Sequence, residues 1–142
     1  EHYQLNVDLL GVADLSADIE IITLADAILQ EFGATRESYE IRLSTLASTN
    51  DSLEQVMIAL REKGITNIKV DETLKRGQAY YTGVVFEFFD TDPTNSRSIL
   101  GGGRYDNLMD LFGVDPVPAV GFGWGDITTK DFLETHGLLP HA

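Results

Sequence analysis

The chain has 142 residues, of which 43% are hydrophobic, and this length and composition suffice to bury the core of one globular domain. Its formal net charge is −13, from 10 basic and 23 acidic residues, which excludes strong non-specific nucleic-acid binding because phosphate contacts need clustered Lys and Arg. No apolar run reaches the roughly 20 residues that span a bilayer, and the first residues lack the pattern of a signal peptide. With no Cys, disulfides and thiolate chemistry are excluded, and we expect a cytoplasmic protein.

Residues 3–10 alternate between apolar and polar side chains, a pattern that predicts a β-strand. The polar face carries Gln4, Asn6 and Asp8. Two interpretations remain open: a face exposed to solvent, which is common in antiparallel sheets, or the wall of a polar pocket that directs an amide and a carboxylate at a ligand.

Two amphipathic helices follow along the chain. The first is predicted to begin with Ser16 as its N-cap and to run to about Phe32, and the second to cover Ser52 to Lys63. A glycine follows each helix, as is common at helix C-termini. Short strands are predicted at residues 39–43 and 65–70.

The longest β-type run covers residues 84–89, and Arg76 precedes it. This arginine is either a solvated loop residue or a contact for an anion. A strand at residues 98–100 leads to Gly101, Gly102 and Gly103, and a last strand at 117–124 runs into the glycine-rich stretch 121–125. With a final helix at 127–135, the order of elements predicts an α+β domain with a mainly antiparallel sheet flanked by helices.

Several common sites are excluded by the sequence. The three His residues are far apart and have no Cys partners, so a zinc site is not expected. No glycine run is followed by Lys-Ser or Lys-Thr, as a P-loop requires, and Asp126 stands where a dinucleotide fingerprint needs its third glycine. We expect no metal bound by protein side chains alone.

Glycine inside a strand usually marks a bulge or a close backbone approach. If the two glycine-rich stretches lie side by side, they leave a flat slot for a planar ring; the alternative is that they serve tight turns and packing. Arg104, which follows the first stretch, is expected to pair with Asp106 rather than to carry phosphate charge.

Together these motifs resemble the catalytic core of class II aminoacyl-tRNA synthetases, and among them the histidyl-tRNA synthetases. The matching segments begin with Glu-His-Tyr-Gln at residues 1–4 and Arg-Gly-Gln-Ala-Tyr-Tyr-Thr-Gly at 76–83. Gly-Gly-Gly-Arg-Tyr-Asp at 101–106 and Pro-Ala-Val-Gly-Phe-Gly-Trp-Gly at 118–125 complete the resemblance, which covers nearly the whole chain.

The resemblance implies a role for each matching position. Gln4 would hold the α-amino group of histidine, Asp8 would read its imidazole, and Tyr80 and Tyr81 would line the pocket. Arg76 would contact the substrate carboxylate and the ATP α-phosphate, and would be the catalytic residue through electrostatic stabilisation. The glycines of the two stretches would form the backbone of the ATP-binding part of the pocket (Gly101, Gly102, Gly103, Gly121, Gly123 and Gly125).

The implied activity is ATP-dependent formation of histidyl-adenylate, with Mg²⁺ bound to ATP, and transfer to tRNA(His) by a homodimeric ligase that has no membrane association. The chain departs from the family at Gln78-Ala79, where Leu-Asp is usual, and at Thr128, where an ATP-binding arginine is expected unless Lys130 replaces it. The segment between Leu43 and Arg76 is too short for the helical insertion of the family.

We therefore expect residues 1–142 to form a partial catalytic domain, from the motif 2 strand through motif 3, without an anticodon-binding domain. The alternative is a non-catalytic paralogue, such as the regulatory subunit of ATP phosphoribosyltransferase, that binds histidine as an effector. Retention of Arg76 favours the ligase, whereas loss of the arginine at Thr128 favours the paralogue.

Overall fold

The computed structural model describes residues 3–74 and 81–140, and within them six strands form a single sheet. The strands are β1 (Gln4–Leu10), β2 (Tyr39–Thr45), β3 (Ile68–Val70), β4 (Val84–Asp90), β5 (Leu100–Arg104) and β6 (Ala119–Gly125). The helices are α1 (Leu15–Glu31), α2 (Asp51–Glu62) and α3 (Asp126–Thr135), and a short 3₁₀ helix covers Leu108–Phe112.

The strands lie in the order β1-β6-β5-β4-β2-β3. Every neighbouring pair is antiparallel except β2 and β3, which are parallel and are joined through α2. The prediction of an α+β domain with a mainly antiparallel sheet and flanking helices is confirmed.

One face of the sheet forms the hydrophobic core with the helices. Alternate residues of each strand point to this face, and the two layers pack as expected when each must bury one apolar side. The buried side chains on the sheet side include Tyr39, Ile41, Leu43, Phe86, Phe88, Leu100, Phe122 and Trp124. Helices α1, α2 and α3 supply the opposing residues, among them Ile22, Leu29, Val56, Leu60 and Phe132. The intervening residues of each strand point to the other face of the sheet, and the polar residues of β1 lie on that face.

The start of α1 differs from the sequence prediction. Asp14, not Ser16, is the N-cap, and its carboxylate accepts a hydrogen bond from the Ser16 backbone N–H at 2.9 Å. Both residue types favour this position, and Asp14 takes it because its side chain reaches an N–H inside the first turn. The Ser16 hydroxyl also donates to Asp14, so Ser16 supports the cap.

The limits of two strands also differ from the prediction. The glycine run 101–103 lies within β5, because its backbone pairs with β4 on one side and β6 on the other. Strand β3 is shorter than expected, since only Ile68–Val70 pairs with β2. The second and last helices begin and end within one residue of their predicted limits.

Among the described residues, no helix combines the length and the apolar character needed to cross a membrane.

Candidate substrate-binding site

Gln4, Asn6 and Asp8 lie side by side along β1, on the sheet face that the helices leave free. Strand β1 is at the edge of the sheet and pairs with β6. The register places Gln4 opposite Gly125, Asn6 opposite Gly123 and Asp8 opposite Gly121. Directly opposed residues of an antiparallel pair share a face, so each polar side chain of β1 has a glycine as its neighbour.

The glycines continue into the next strand. Gly101 pairs with Gly123 and Gly103 pairs with Gly121 across β5 and β6. We call these residues the glycine floor (Gly101, Gly103, Gly121 and Gly123). Neighbouring strands are about 4.8 Å apart, so the glycine floor is a patch of bare backbone two strands wide. The two glycine-rich stretches lie side by side, and the polar residues of β1 border them on one side.

The β1 side chains lean over this floor. A Cβ added to Gly123 would overlap Gln4 Nε2 and would lie 3.1 Å from Asn6 Oδ1. A Cβ added to Gly121 would overlap Asp8 Oδ1 and the Val7 carbonyl oxygen. The absence of side chains on β6 therefore gives the amides and the carboxylate of β1 the space that they occupy.

Two of the predicted pocket glycines have other surroundings. A Cβ on Gly102 would overlap the backbone of Gly121 in β6, so close strand packing alone explains this glycine. Gly125 lies at the end of the β6 row, and a Cβ there would meet only Thr128 Oγ1, at 3.6 Å.

Tyr81 borders the glycine floor near β5. Its Cδ1 atom is 3.1 Å from the position that a Cβ on Gly103 would take. Gln4, Asp8 and Tyr81 thus all border the glycine floor. Arg76 and Tyr80 lie outside the described residues.

Tyr105 is a site residue that the sequence analysis missed. Its hydroxyl donates a hydrogen bond of 2.5 Å to Asp8 Oδ1. The signal was available, because Arg104 and Tyr105 are consecutive at the end of a strand and consecutive side chains point to opposite faces. Once Arg104 is placed in the core, Tyr105 must point toward the face that carries Asp8.

Arg104 is buried, with 5% of its surface exposed, and it binds α1 to the sheet. Its Nε atom donates to both carboxylate oxygens of Asp18 at 2.9 and 3.2 Å, and its NH2 group donates to Asp18 as well. The remaining hydrogens reach Asp106 at 3.0 Å and the carbonyl oxygens of Val12 and Asp14 at 3.0 and 3.1 Å. Burial raises the pKa of the Asp18 carboxyl, and the hydrogen bonds from Arg104 oppose this rise. All five donors are satisfied, so Arg104 has a structural role, as expected from the sequence.

Thr128, at the position where the resemblance expects an arginine, is used by the fold. Its hydroxyl donates to the Ile99 carbonyl oxygen at 3.1 Å. Lys130 is exposed, and its Nζ is 3.7 Å from Glu134 Oε1. Lys130 and Gln4 border the same cavity of about 600 Å³ at the start of β1.

The electrostatic character of the open face near β1 is acidic. Asp8 lies on it, and Glu87 shares the face because it pairs with Gly101. The arginine of this face, Arg42, lies opposite Glu87 on β2, four strands away from β1, and pairs with Glu40 at 3.1 Å and with Asp71 at 3.7 Å. The described part of the face therefore favours a ligand with a cationic or N–H-bearing group. Within residues 3–74 and 81–140, no group of three or more His, Asp or Glu side chains could hold a metal ion.

A family model described as Histidyl-tRNA synthetase matches residues 34–125. The chain belongs to the histidyl-tRNA synthetase family. The histidine–tRNA ligase of Leptospira biflexa is 31% identical and aligns with 99% of this chain and 49% of its own length. The apo histidyl-tRNA synthetase of S. aureus has a TM-score of 0.86 and 27% identity over 96% of this chain and 41% of that one.

A structure of an ATP phosphoribosyltransferase regulatory subunit/histidyl-tRNA synthetase from Bacillus halodurans shares the fold, with a TM-score of 0.78 and 21% identity. The histidyl-tRNA synthetase fold predicted from the sequence is therefore confirmed. The chain spans about half the length of the curated relatives that it matches.

The alignment with the Leptospira relative is 214 residues long, whereas this chain has 142. The relative thus carries residues inside the aligned region that have no counterpart here. Between the end of β2 at Thr45 and Leu74, the structure contains only α2 and β3. This short connection agrees with the expectation that the helical insertion of the family is missing.

Proposed function

We propose that this chain forms the amino-acid-binding part of a histidine–tRNA ligase. The observation that carries the proposal is the arrangement of an amide, at Gln4, and a carboxylate, at Asp8, beside a floor of bare backbone. Because the floor has no side chains of its own, the side chains of β1 extend over it, where they would give a small planar ligand polar contacts. Membership of the histidyl-tRNA synthetase family supplies the substrate: histidine.

In this proposal Gln4 contacts the α-amino group of histidine and Asp8 accepts a hydrogen bond from an imidazole N–H. Tyr105 acts through Asp8, because its hydroxyl occupies one carboxylate oxygen and fixes the direction of the other. Tyr81 and Tyr80 form the wall of the pocket. A carboxylate that must also interact with a protein donor is held in place, which favours one orientation of the imidazole.

The reaction is attack of the histidine carboxylate oxygen on the α-phosphorus of ATP. The bond from this phosphorus to the bridging oxygen breaks, and pyrophosphate leaves with the electron pair. Arg76 stabilises the charge that develops on the α-phosphate. The histidyl group then passes from the adenylate to the 3′ end of tRNA(His), and AMP is released.

Mg²⁺ would enter with ATP and stabilise negative charge on its phosphates. Magnesium commonly binds through one or two carboxylates together with substrate phosphates and water. The described residues offer no cage of three or more acidic ligands, so the phosphates of ATP would be its main ligands.

The partners of this activity would be histidine, ATP and tRNA(His), with most tRNA contacts made by parts of the protein outside this chain. The acidic net charge of −13 supports that division, because it disfavours phosphate binding by this surface. We further propose a homodimer that acts in the cytoplasm without membrane association.

Histidine-dependent exchange of pyrophosphate into ATP, measured on the full-length protein, tests the proposal. We expect exchange by the parent and a loss of at least about 100-fold in the Arg76→Ala variant, comparable with the removal of one charge-stabilising donor. Arg97→Ala is the matched control, because Arg97 is exposed and forms no ion pair with the other described residues. Exchange at the parental rate in Arg76→Ala would contradict the role given to Arg76.

A regulatory paralogue that binds histidine without activating it is the second candidate. The observation that favours it is Thr128, whose hydroxyl is bound to the Ile99 carbonyl where the family pattern expects an ATP-binding arginine. Histidine binding by the full-length protein with no exchange at any ATP concentration would favour this candidate over the ligase.

A further inference from the structure

We propose that Asn6 is an additional substrate-contacting residue, and that its Oδ1 atom accepts a hydrogen bond from the α-ammonium group of the amino acid. The proposal rests on the proposed function, because it adds a contact to the same site. It concerns a position to which the sequence analysis gave no role.

The first argument is spacing. Gln4, Asn6 and Asp8 follow one another at every second position of β1, and a strand rises about 3.4 Å per residue. The Cα atoms of Gln4 and Asp8 are therefore about 14 Å apart, with Asn6 midway between them. A single small molecule that contacts both Gln4 and Asp8 must pass over Asn6.

The second argument is the direction of the Asn6 side chain. Its Oδ1 atom lies 3.1 Å from the point that a Cβ on Gly123 would occupy, so the amide leans over the glycine floor and not toward the free edge of the sheet. Asn6 is exposed and forms no side-chain hydrogen bond with any other described residue. An amide in this position has its hydrogen-bonding capacity available for a ligand on the floor.

The third argument is the chemistry of the neighbouring amide. Gln4 presents Nε2 over the same glycine, and a side-chain N–H₂ group can only donate. An α-ammonium group also has donors only, so Gln4 contacts it through Oε1, after its amide has turned over. Among the polar side chains of β1, the hydrogen-bond acceptor that lies above Gly123 is Asn6 Oδ1. If the Gln4 amide turns over on binding, the two oxygens together accept two of the three ammonium hydrogens.

Charge supports the same assignment. An ammonium group above Asn6 lies two residues along β1 from the Asp8 carboxylate, on the same face of the sheet. This negative charge favours a cation at this point.

The test compares two ligands on the full-length protein: histidine, and imidazole-lactic acid, which has a hydroxyl in place of the α-ammonium group. Calorimetry would give the dissociation constants for the parent and for Asn6→Ala. We expect Asn6→Ala to weaken histidine binding by about 10-fold, as for loss of a hydrogen bond to a charged group. Binding of imidazole-lactic acid should weaken less, by about two- to fivefold, because its hydroxyl can donate only a neutral hydrogen bond to this acceptor.

Two further variants make the result specific. Asn6→Asp keeps the size of the side chain and adds a negative charge, so it should bind histidine at least as tightly as the parent. Asn50→Ala is the matched control, since Asn50 is exposed at the start of α2 and its side chain caps nothing there. Thermal unfolding of each variant would show that the edge strand remains folded.

Unchanged histidine affinity in Asn6→Ala would overturn the proposal while leaving the proposed function intact. An equal loss for both ligands would also overturn it, because the side chain would then act on a part of the ligand other than the ammonium group. If the parent itself binds no histidine, both the proposed function and this contact fail.

Discussion

Asp8 and Gly121 face each other across β1 and β6, and the Asp8 carboxylate occupies the space that a Cβ on Gly121 would need. The same carboxylate is held by the Tyr105 hydroxyl at 2.5 Å. The position of Asp8 therefore depends on a glycine in the neighbouring strand and on a tyrosine that follows β5.

Gly121→Ala should weaken histidine binding by at least about 10-fold, because the new methyl group would displace the Asp8 carboxylate and the Val7 backbone. Gly125→Ala is the matched control in the same strand. A Cβ at Gly125 meets its nearest neighbour at 3.6 Å, which is ordinary contact, so this variant should bind as the parent does. Calorimetric titration with histidine measures both, and parental affinity in Gly121→Ala would contradict the placement of Asp8.

Arg104→Leu should lower the free energy of unfolding by about 3–5 kcal/mol, because it leaves the Asp18 carboxylate buried without its partner. The double variant Asp18→Leu/Arg104→Leu should regain part of this loss, since no unpaired charge remains. Urea denaturation measures all three proteins.

The control for this experiment is Arg97→Leu, an exposed position at which we expect a change of less than about 0.5 kcal/mol. A double variant no more stable than Arg104→Leu would contradict this account, because the hydrogen bonds to the Val12 and Asp14 carbonyls, which both variants lack, would then explain the whole loss.

Three aspartates, one exposed (Asp14) and two partly exposed (Asp71 and Asp92), lose their stabilising effect in acid. Asp14, Asp71 and Asp92 each accept hydrogen bonds from the Ser or Thr two residues later, which lowers the pKa of each carboxyl below its ordinary value of 3.8. A lowered pKa in the folded state contributes stability above the unfolded pKa, and this contribution is lost as the pH falls through the folded value.

The triple variant Asp14→Asn/Asp71→Asn/Asp92→Asn should therefore lose less stability than the parent between pH 5 and about pH 2. Its amide oxygens still accept the hydrogen bonds but do not titrate. Melting temperatures across this range measure the difference. A triple Asn variant at Asp110, Asp115 and Asp126, which accept no side-chain hydrogen bond from a described residue, changes the net charge equally and should retain the slope of the parent.

The net charge of −13 predicts that added salt stabilises the fold. Self-repulsion destabilises a compact chain far from neutrality, and the screening length falls from about 30 Å at 0.01 M to about 3 Å at 1 M salt. The melting temperature should rise with NaCl and level off above about 0.5 M, where screening is nearly complete. A melting temperature that falls with salt would show that attractive ion pairs outweigh the repulsion.

The sequence predicts the parts of this site that depend on local alternation. The face shared by Gln4 and Asp8 follows from a two-residue period, and the structure places both residues as expected. The sequence does not identify the N-cap of α1, because Asp14 and Ser16 are both favourable caps and only the backbone geometry decides between them. Tyr105 was missed because its position follows from the burial of Arg104, which depends on an ion pair with a residue 86 positions away.

The glycine floor required the register between strands that are not adjacent in sequence. The sequence shows the glycines of β5 and β6 but not how they pair. The pairing of Gly101 with Gly123 and of Gly103 with Gly121 is a property of the folded sheet. Gly102 shows the converse: it resembled a pocket residue in sequence, and the structure explains it by close packing against the Gly121 backbone.

The floor also limits how this pocket can diverge. A side chain at Gly121 or Gly123 would collide with the residues of β1, and one at Gly103 would collide with Val85 and with the Val84 carbonyl. Few substitutions in the described chain could therefore change which ligand the pocket prefers. The polar positions of the edge strand β1 are the exception. A substitution at Asn6 would alter the contacts above the floor and leave the backbone beneath it unchanged.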